Sequence, residues 1–202
     1  MNVYIESNFV LEQALQQEQS ESCDEIVNLA ASGRISLIVP AFSLAEPHES
    51  ISRKANMRSN LIHELQRQLP ELSRSRAYRD VLASFGELTD VLIGSAERER
   101  DGLKDTIAKL LRIVEVIPLN GRVLNAGADV QDALRMSGQD AVIFASVEAH
   151  LAEKRPHESC FLNRNTRDFD NPDVRERLEK YGCKFFGRFD DGLQYIGHRL
   201  KA

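Results

Sequence analysis

Four acidic residues stand where the chain passes from one predicted element to the next. In chain order they are Glu6 after the first predicted strand, Glu46 beyond the second, Asp140 at the opening of a helix, and Asp168 after the fourth strand. Ligands of an open parallel sheet bind at the carboxyl edge of its strands. We therefore expect these acids to converge at one edge of the sheet.

Carboxylates that lie close together repel one another, and each raises the pKa of its neighbour. A cation between them removes that repulsion, and oxygen ligands select hard ions such as Mg²⁺ or Mn²⁺. Such an ion activates water and offsets the charge that builds on a phosphate during its transfer. Helix N-termini near Glu46 and Asp140 would add positive potential for a phosphate. The acids therefore predict a metal centre for phosphodiester hydrolysis.

Each acid also has a structural explanation when it is taken alone. Glu6 and Glu46 are plausible helix-capping or surface acids. Asp140 has the residue type of an N-cap, and Asp168 that of a residue starting a turn before Pro172. These explanations fit the residues one at a time, but they do not account for the recurrence of acids at one edge of the sheet.

The elements that must position these acids alternate between strand and helix. Short apolar runs predict five strands, at residues 3–5, 35–39, 113–117, 160–162 and 183–186. Strands separated by helices imply parallel pairing with right-handed crossovers. The predicted fold class is α/β, a three-layer α/β/α sandwich with a mostly parallel sheet of about five strands.

The middle of the chain, from about residue 48 to 112, is dominated by helical patterns. One apolar stripe, which Pro70 is predicted to end, consists of Ile51, Ala55, Ile62, Leu65 and Leu69. Further helices are predicted around two more sets, Val81, Phe85, Leu88, Val91 and Leu92, and then Ile107, Leu110 and Leu111. Because strands flank this region on both sides, we interpret it as a helical insertion in a single domain spanning residues 1–202.

Charge is distributed unevenly along the chain. The net charge of -5 argues against a protein that coats nucleic acid nonspecifically. Residues 1–51 hold eight acidic side chains and one basic one, whereas residues 52–79 hold seven basic and two acidic ones. An acidic region beside a basic one suits a metal centre next to an anion-binding surface, although a solvated helical face explains the basic segment equally well.

Other features bound the class of protein. Cys23, Cys160 and Cys183 are far apart, which indicates reduced, buried thiols in a cytoplasmic protein. No stretch approaches the roughly 18–20 apolar residues that span a bilayer, so no membrane association is predicted. The sequence has no Gly-rich phosphate loop, no nucleophile elbow and no histidines at metal-ligand spacing.

Four segments resemble, in order, the motifs of the PIN-domain family. The first, in residues 3–10, is a strand followed by an acid, Ser and Asn, and the second, in residues 38–46, is a strand leading to a helix-borne Glu. The third, in residues 139–146, is an Asp-Ala step that opens an apolar helix. The fourth, in residues 161–169, is a strand followed by a polar turn that ends in Asp-Phe. Their order is more specific than any one of them. The resemblance covers most of the chain except its helical middle.

The resemblance implies a metal-dependent ribonuclease-like site that uses Mg²⁺ or Mn²⁺. The implied catalytic residues and metal ligands are Glu6, Glu46, Asp140 and Asp168. Supporting polar roles fall to Ser7, Asn8, Asn163 and Asn165. The predicted nucleic-acid contacts are Arg53, Lys54, Arg58, Arg164 and Arg167. The predicted partners are an RNA substrate, a protein inhibitor or antitoxin, and a second copy of the chain in a homodimer.

The chain also departs from the family pattern. The first acid is usually Asp but here is Glu6, Asn163 replaces a common hydroxyl residue, and Asn165 stands where many relatives have an acid. Pro47 directly follows Glu46, which fits only if Glu46 lies in the first turn of its helix. Two alternatives to a nuclease therefore stay open, namely a noncatalytic RNA-binding or scaffold domain and the toxin component of a toxin-antitoxin pair.

Overall fold

Five parallel strands form the sheet of the computed structural model, which describes residues 1–78, 82 and 85–201. In chain order the strands are β1 (Asn2–Ile5), β2 (Ser36–Pro40), β3 (Glu115–Ile117), β4 (Ser159–Leu162) and β5 (Cys183–Phe186). Their spatial order is β3-β2-β1-β4-β5, so the chain builds outward from β1 in both directions. Every neighbouring pair is parallel. The predicted fold class is confirmed.

Helices cover both faces of this sheet. Within the described residues they are α1 (Ser7–Ala14), α2 (Ser20–Ala31), α3 (Ala41–Ser73), α4 (Phe85–Leu110), α5 (Gly121–Leu134), α6 (Gly138–Lys154), α7 (Thr166–Phe169), α8 (Pro172–Glu179) and α9 (Phe189–Arg199). Val3 and Ile5 of β1 belong to the core under α1, α2 and α9, whereas Tyr4 belongs to the core under α6 and α8. A strand that is covered on both faces needs apolar side chains on both, which is why β1 carries a continuous apolar run.

The helical middle differs in detail from the sequence prediction. Helix α3 begins at Ala41, directly after Pro40, and continues through Pro47 and Pro70 to Ser73. Pro47 therefore lies in the second turn, and the prediction that Glu46 requires the first turn was wrong. Likewise, one helix, α4, replaces the two predicted between Leu88 and Leu110.

Tertiary packing explains why Pro47 does not end α3. The helix buries Ile51, Ala55 and Ile62, and α4 packs along it as the second arm of an antiparallel hairpin. The Arg58 guanidinium ties the two arms together through Glu99, at 2.7 Å, and Ser95. Burial along this face outweighs the hydrogen bond that Pro47 removes. Pro70 lies eight residues beyond Ile62, the last buried residue, and three before Ser73, where the helix ends. Arg79 and Val81, which the sequence assigned to the basic segment and to a helix, lie outside the described residues.

None of the helices in the described ranges has the length and apolar character needed to cross a lipid bilayer.

Candidate active site

Glu6 is the first residue after β1 and caps the N-terminus of α1. Its Oε1 accepts a hydrogen bond of 3.0 Å from the backbone N–H of Asn8, and the side chain is only 3% exposed. Burial raises the pKa of Glu6 to about 8, and the nearby carboxylates of Glu46 and Asp140 add to the rise against the opposing Asn8 hydrogen bonds. Glu6 therefore keeps a proton at neutral pH unless a positive charge comes near it.

Glu46 approaches from the second turn of α3. The hydroxyl of Ser7 donates a short hydrogen bond to its Oε2, and Ser7 is itself buried at the start of α1. Because β1 and β2 are parallel neighbours, the helices that follow them begin at the same edge of the sheet. The Ser7–Glu46 contact joins these two helices at that edge.

Asp140 belongs to the first turn of α6, which Ser137 caps. The Ser137 hydroxyl accepts from the backbone N–H of Asp140 at 3.1 Å and donates to its Oδ2 at 2.6 Å. Burial raises the pKa of Asp140, and the carboxylate of Asp168 raises it further against the hydrogen bonds from Ser137 and Asn165. The carboxylate is held by its own helix cap while it stands near a second acid.

The loop after β4 is organised by two asparagines. Asn163 is fully buried, and its Oδ1 accepts from the backbone N–H of Asn165 at 2.7 Å and from the side-chain amide of Asn8 at 3.4 Å. The Nδ2 of Asn165 donates to Asp140 at 3.2 Å and to Asp168 at 3.0 Å. A neutral amide thus bridges two acids and donates a hydrogen bond to each.

These side chains border a cleft of about 400 Å³ at the carboxyl edge of the sheet. Its lining residues are Glu6, Ser7, Asn8, Leu11, Glu46, Glu49, Ser50, Arg53, Gln139, Asp140, Arg164 and Asn165. Asp168 is not among them and reaches the cluster through Asn165. The structure therefore brings three of the four predicted acids to one cleft and places the fourth directly behind its wall.

The chemistry of these donors suits a hard divalent cation. The cleft offers carboxylate oxygens, and a buried carboxyl whose pKa is raised to about 8 gains most from a positive neighbour. In the arrangement seen, however, no group of three or more His, Cys, Asp or Glu side chains within the described residues is placed so that it could hold one ion. Hydrogen bonds from Ser7, Ser137 and Asn165 occupy the carboxylates instead.

The predicted basic residues fall into two groups. Arg53 forms part of the cleft wall and is exposed, as is Arg167, while Lys54 is half-buried. Arg58 is committed to Glu99 and Ser95 of α4.

Arg164 also lines the cleft, but its guanidinium forms a short ion pair with Glu12 of α1. Glu12 is almost completely buried and accepts from the backbone N–H of Gln19 at 2.6 Å. Removing Arg164 would leave a buried charge unpaired, so we interpret this arginine chiefly as a brace for the Asn163–Asn165 loop.

Several residues of the site were not predicted from the sequence. Ser137 had a readable signal, because a serine three residues before an acid is a typical helix N-cap. Glu49 and Ser50 follow Glu46 at spacings of three and four, which places them on the same face of a helix as Glu46 and the predicted Arg53. Glu12 had no signal, because its partner is 152 residues away.

The fold and the site together define an α/β domain with a carboxylate cluster at the carboxyl edge of a parallel sheet. The family model described as PIN domain matches residues 3–169, and the chain belongs to that family.

No curated protein matches the chain. Among solved structures, similarity is found to a chain of "Crystal structure of VapBC2 from Rickettsia felis bound to a DNA fragment from their promoter". The identity is 11%, the match covers 92% of this chain and 99% of that chain, and the TM-score is 0.49. No activity or partner is carried over from a similarity of this size.

Proposed function

We propose that the chain is a metal-dependent PIN-like nuclease that hydrolyses phosphodiester bonds, with RNA as its substrate. The observation that carries this proposal is the meeting of Glu6, Glu46 and Asp140 in one cleft, with the pKa of Glu6 raised to about 8. Burying carboxylates that repel one another lowers the stability of the folded chain. Acids that are kept in such a position are consistent with a role in binding. Membership of the PIN-domain family supports the same conclusion.

The residues that would hold Mg²⁺ or Mn²⁺, directly or through water, are Glu6, Glu46, Asp140 and Asp168. When bound, the ion would supply an activated water and balance the charge on the phosphate. Ser7 orients Glu46, and Asn165 links Asp140 to Asp168. Asn8 and Asn163 brace the loops that carry these residues.

Substrate binding would rely on Arg53, which lies in the cleft wall two helical turns from Glu46 on the same face of α3. Its guanidinium carries no ion pair in the part of the chain that is described, so it is available to a phosphate. Exposed Arg167 and half-buried Lys54 are weaker candidates for the same role. The acidic total charge makes binding depend on this local cluster.

The test is cleavage of labelled single-stranded RNA and single-stranded DNA with Mn²⁺, with Mg²⁺ and with excess EDTA. We expect metal-dependent RNA cleavage that Asp140→Asn lowers by at least about 100-fold, the scale of losing one group that acts directly in catalysis. The matched control is Asp129→Asn, which changes an exposed helical aspartate outside the cleft. Cleavage by Asp140→Asn at the wild-type rate would refute the assignment.

A noncatalytic RNA-binding or scaffold domain is the second candidate. The Asn165 amide that bridges Asp140 and Asp168 favours it, because this neutral donor already relieves the repulsion that a metal would relieve. Calorimetric titration with Mn²⁺ separates the two: binding supports the nuclease, and RNA binding without metal binding supports the scaffold. The predicted inhibitor or antitoxin stays a prediction, testable by identifying proteins that copurify with the native chain.

A further inference from the structure

The loop between α5 and α6 leads directly to the cleft. It connects the end of α5 to Ser137, whose hydroxyl donates to the Asp140 carboxylate at 2.6 Å. Met136 is only 5% exposed and fixes the loop to the core under α6, whereas Arg135 and Ser137 on either side of it are exposed. Because two residues of chain span at most about 7.6 Å, the Cα of Arg135 lies within that distance of the Cα of Ser137, at the rim of the cleft.

Arg135 has a backbone conformation that an arginine rarely adopts. It is the C-cap of α5, with φ at 54° and ψ at 37° in the left-handed region. Glycine is the usual residue there, because a Cβ raises the energy of this conformation. Arg155 at the C-cap of α6 is also left-handed, with φ at 43°, so the conformation alone assigns no role. What distinguishes Arg135 is its position beside the cleft, because α6 separates the two arginines by about 25 Å, the rise of its 17 residues.

The charges that line the cleft do not by themselves suit a polyanion. Four of the lining residues are acidic and two are basic, namely Glu6, Glu46, Glu49 and Asp140 against Arg53 and Arg164. Arg164 is committed to buried Glu12, so Arg53 is the one lining cation without an ion pair in the described part of the chain. The phosphates of a nucleic-acid strand repel the carboxylates and continue past the cleft. A further cation beside the cleft would offset that repulsion.

Arg135 can supply that charge. Its exposed guanidinium forms no ion pair or hydrogen bond with any residue that the structure describes, so its paired N–H donors are available to phosphate oxygens. Arg53 is carried by α3, whereas Arg135 adjoins α6, which contributes Gln139 and Asp140 to the cleft. The two free arginines therefore approach the carboxylates from different elements, as a strand that crosses the cleft requires.

Gln139 offers a different contact on the same side of the cleft. It lines the cleft, it is exposed, and its side-chain amide has no hydrogen-bond partner among the described residues. An amide carries two donors and an acceptor, the combination that recognises the edge of a base. A phosphate carries acceptors alone. Arginine therefore suits the phosphate, and glutamine suits the base.

We propose that residues 135–139 form the recognition segment of the cleft for single-stranded RNA, in which Arg135 binds a phosphate and Gln139 contacts a base. An unpaired strand fits this segment because its unstacked bases expose their edges to side chains. The inference rests on the proposed function for the class of ligand, but it concerns binding and not hydrolysis. The test is therefore binding without catalysis, measured by fluorescence anisotropy of labelled single-stranded RNA in EDTA and again in Ca²⁺ without EDTA.

Arg135→Gly is the main variant, because glycine adopts the left-handed conformation without strain. Its melting temperature should be no lower than that of the wild type, so weaker binding would not be due to unfolding. We expect RNA to bind about three- to fivefold more weakly, the scale of one exposed charge contact. The slope of log K against log salt should become shallower by ~0.7, the change for one phosphate contact on a single strand. Arg155→Gly is the matched control, because it removes the same charge from the same conformation at the far end of α6, and it should bind like the wild type.

Gln139→Ala tests the base contact. It should leave the salt slope unchanged but reduce the preference among oligo(A), oligo(C) and oligo(U) of equal length by about fivefold, the lower end of the discrimination from one base contact. A wild type without any preference, or a variant with the same preference as the wild type, overturns the role of Gln139.

Equal RNA binding by Arg135→Gly and Arg155→Gly would overturn the role of Arg135, and so would a wild type that binds no RNA in either condition. These outcomes differ from a failure of the nuclease proposal. A wild type that binds RNA through Arg135 but does not cleave it supports the recognition segment and refutes the nuclease. Cleavage of RNA together with equal binding by the two glycine variants does the reverse.

Discussion

At the scale of single residues, the site consists of carboxylates held by neutral donors. Glu6 accepts from the backbone N–H of Asn8, Glu46 from the Ser7 hydroxyl, and Asp140 from the Ser137 hydroxyl. Such hydrogen bonds offset part of the cost of burying the acids, but they supply no positive charge. The pKa values of Glu6 and Asp140 are raised because their burial is only partly compensated by these hydrogen bonds.

The raised pKa of Glu6 makes the stability of the folded chain depend on pH. The pKa of Glu6 rises from 4.5 to about 8 on folding, so between these values the folded chain holds a proton that the unfolded chain has lost. Stability in EDTA should therefore fall as pH rises through this window. Glu6→Gln, which resembles the protonated acid, should melt close to the wild type at pH 5 but roughly 10 °C higher near pH 9. A pKa raised from 4.5 to about 8 costs the folded chain ~5 kcal/mol at high pH, and ~1 kcal/mol corresponds to about 2–4 °C at this chain length.

Thermal melting followed by circular dichroism measures this difference. The control is Glu25→Gln, a change at an exposed position of α2, which should follow the wild type at both pH values. A Glu6→Gln variant whose melting temperature falls with pH as steeply as that of the wild type would show that the Glu6 carboxyl is ionised throughout.

At the scale of elements, α3 joins the site to the hairpin. Its second turn carries Glu46, its fourth contributes Arg53 to the cleft, and its outer half is one arm of the hairpin. Helix α1 is packed against both α3 and α4, so the hairpin supports the helix that carries Ser7 and Asn8. At Gly102 the backbones of α1 and α4 come so close that a Cβ would lie 2.6 Å from the carbonyl oxygen of Ala14.

Gly102→Ala should therefore loosen α1 from α4. The added Cβ would meet the Ala14 carbonyl oxygen at 2.6 Å, where neither backbone can yield without displacing a helix. We expect a loss of about 1–3 kcal/mol, the usual range for overpacking a fitted contact. Gly94→Ala is the control on the same helix: its Cβ would meet only the flexible Arg98 side chain, at 3.6 Å, so it should raise stability by about 0.5–1 kcal/mol. Denaturant unfolding of both variants decides, and equal effects in the same direction would refute the close contact.

At the scale of the whole molecule, the sequence predicts the sheet better than the helices. Each strand is a short apolar run, such as Val3–Ile5, and parallel strands separated by helices leave few alternative topologies. The position of the acids at one edge follows from that topology alone. In contrast, a proline is a local signal, whereas the continuity of α3 through Pro47 depends on burial against partners that are distant in sequence, which local patterns do not show.

The same limit applies to the site. That Glu6, Glu46 and Asp140 line one cleft could be predicted because each lies within two helical turns of an element boundary. The hydrogen-bond partners of these carboxylates could be predicted only where they are close in sequence, as Ser137 is to Asp140. Arg164 pairs with buried Glu12, which is distant in sequence. Because local patterns do not show this pair, the sequence predicts Arg164 as a nucleic-acid contact.

Binding of a divalent cation should act on the molecule as a whole, because the acids come from four separate segments that only folding brings together. A ligand that binds the folded chain alone stabilises it by ~2.7 kcal/mol at a hundredfold excess over Kd, or about 5–10 °C in melting temperature at this length. Mn²⁺ should therefore raise the melting temperature of the wild type and of Asp129→Asn, but much less that of Asp140→Asn. The shift should be larger at pH 8 than at pH 6, because bound metal must displace the proton of Glu6. An equal Mn²⁺ shift in Asp140→Asn would place the ion elsewhere, and no shift in the wild type at either pH would leave the neutral bridge of Asn165 as the permanent occupant of the cluster.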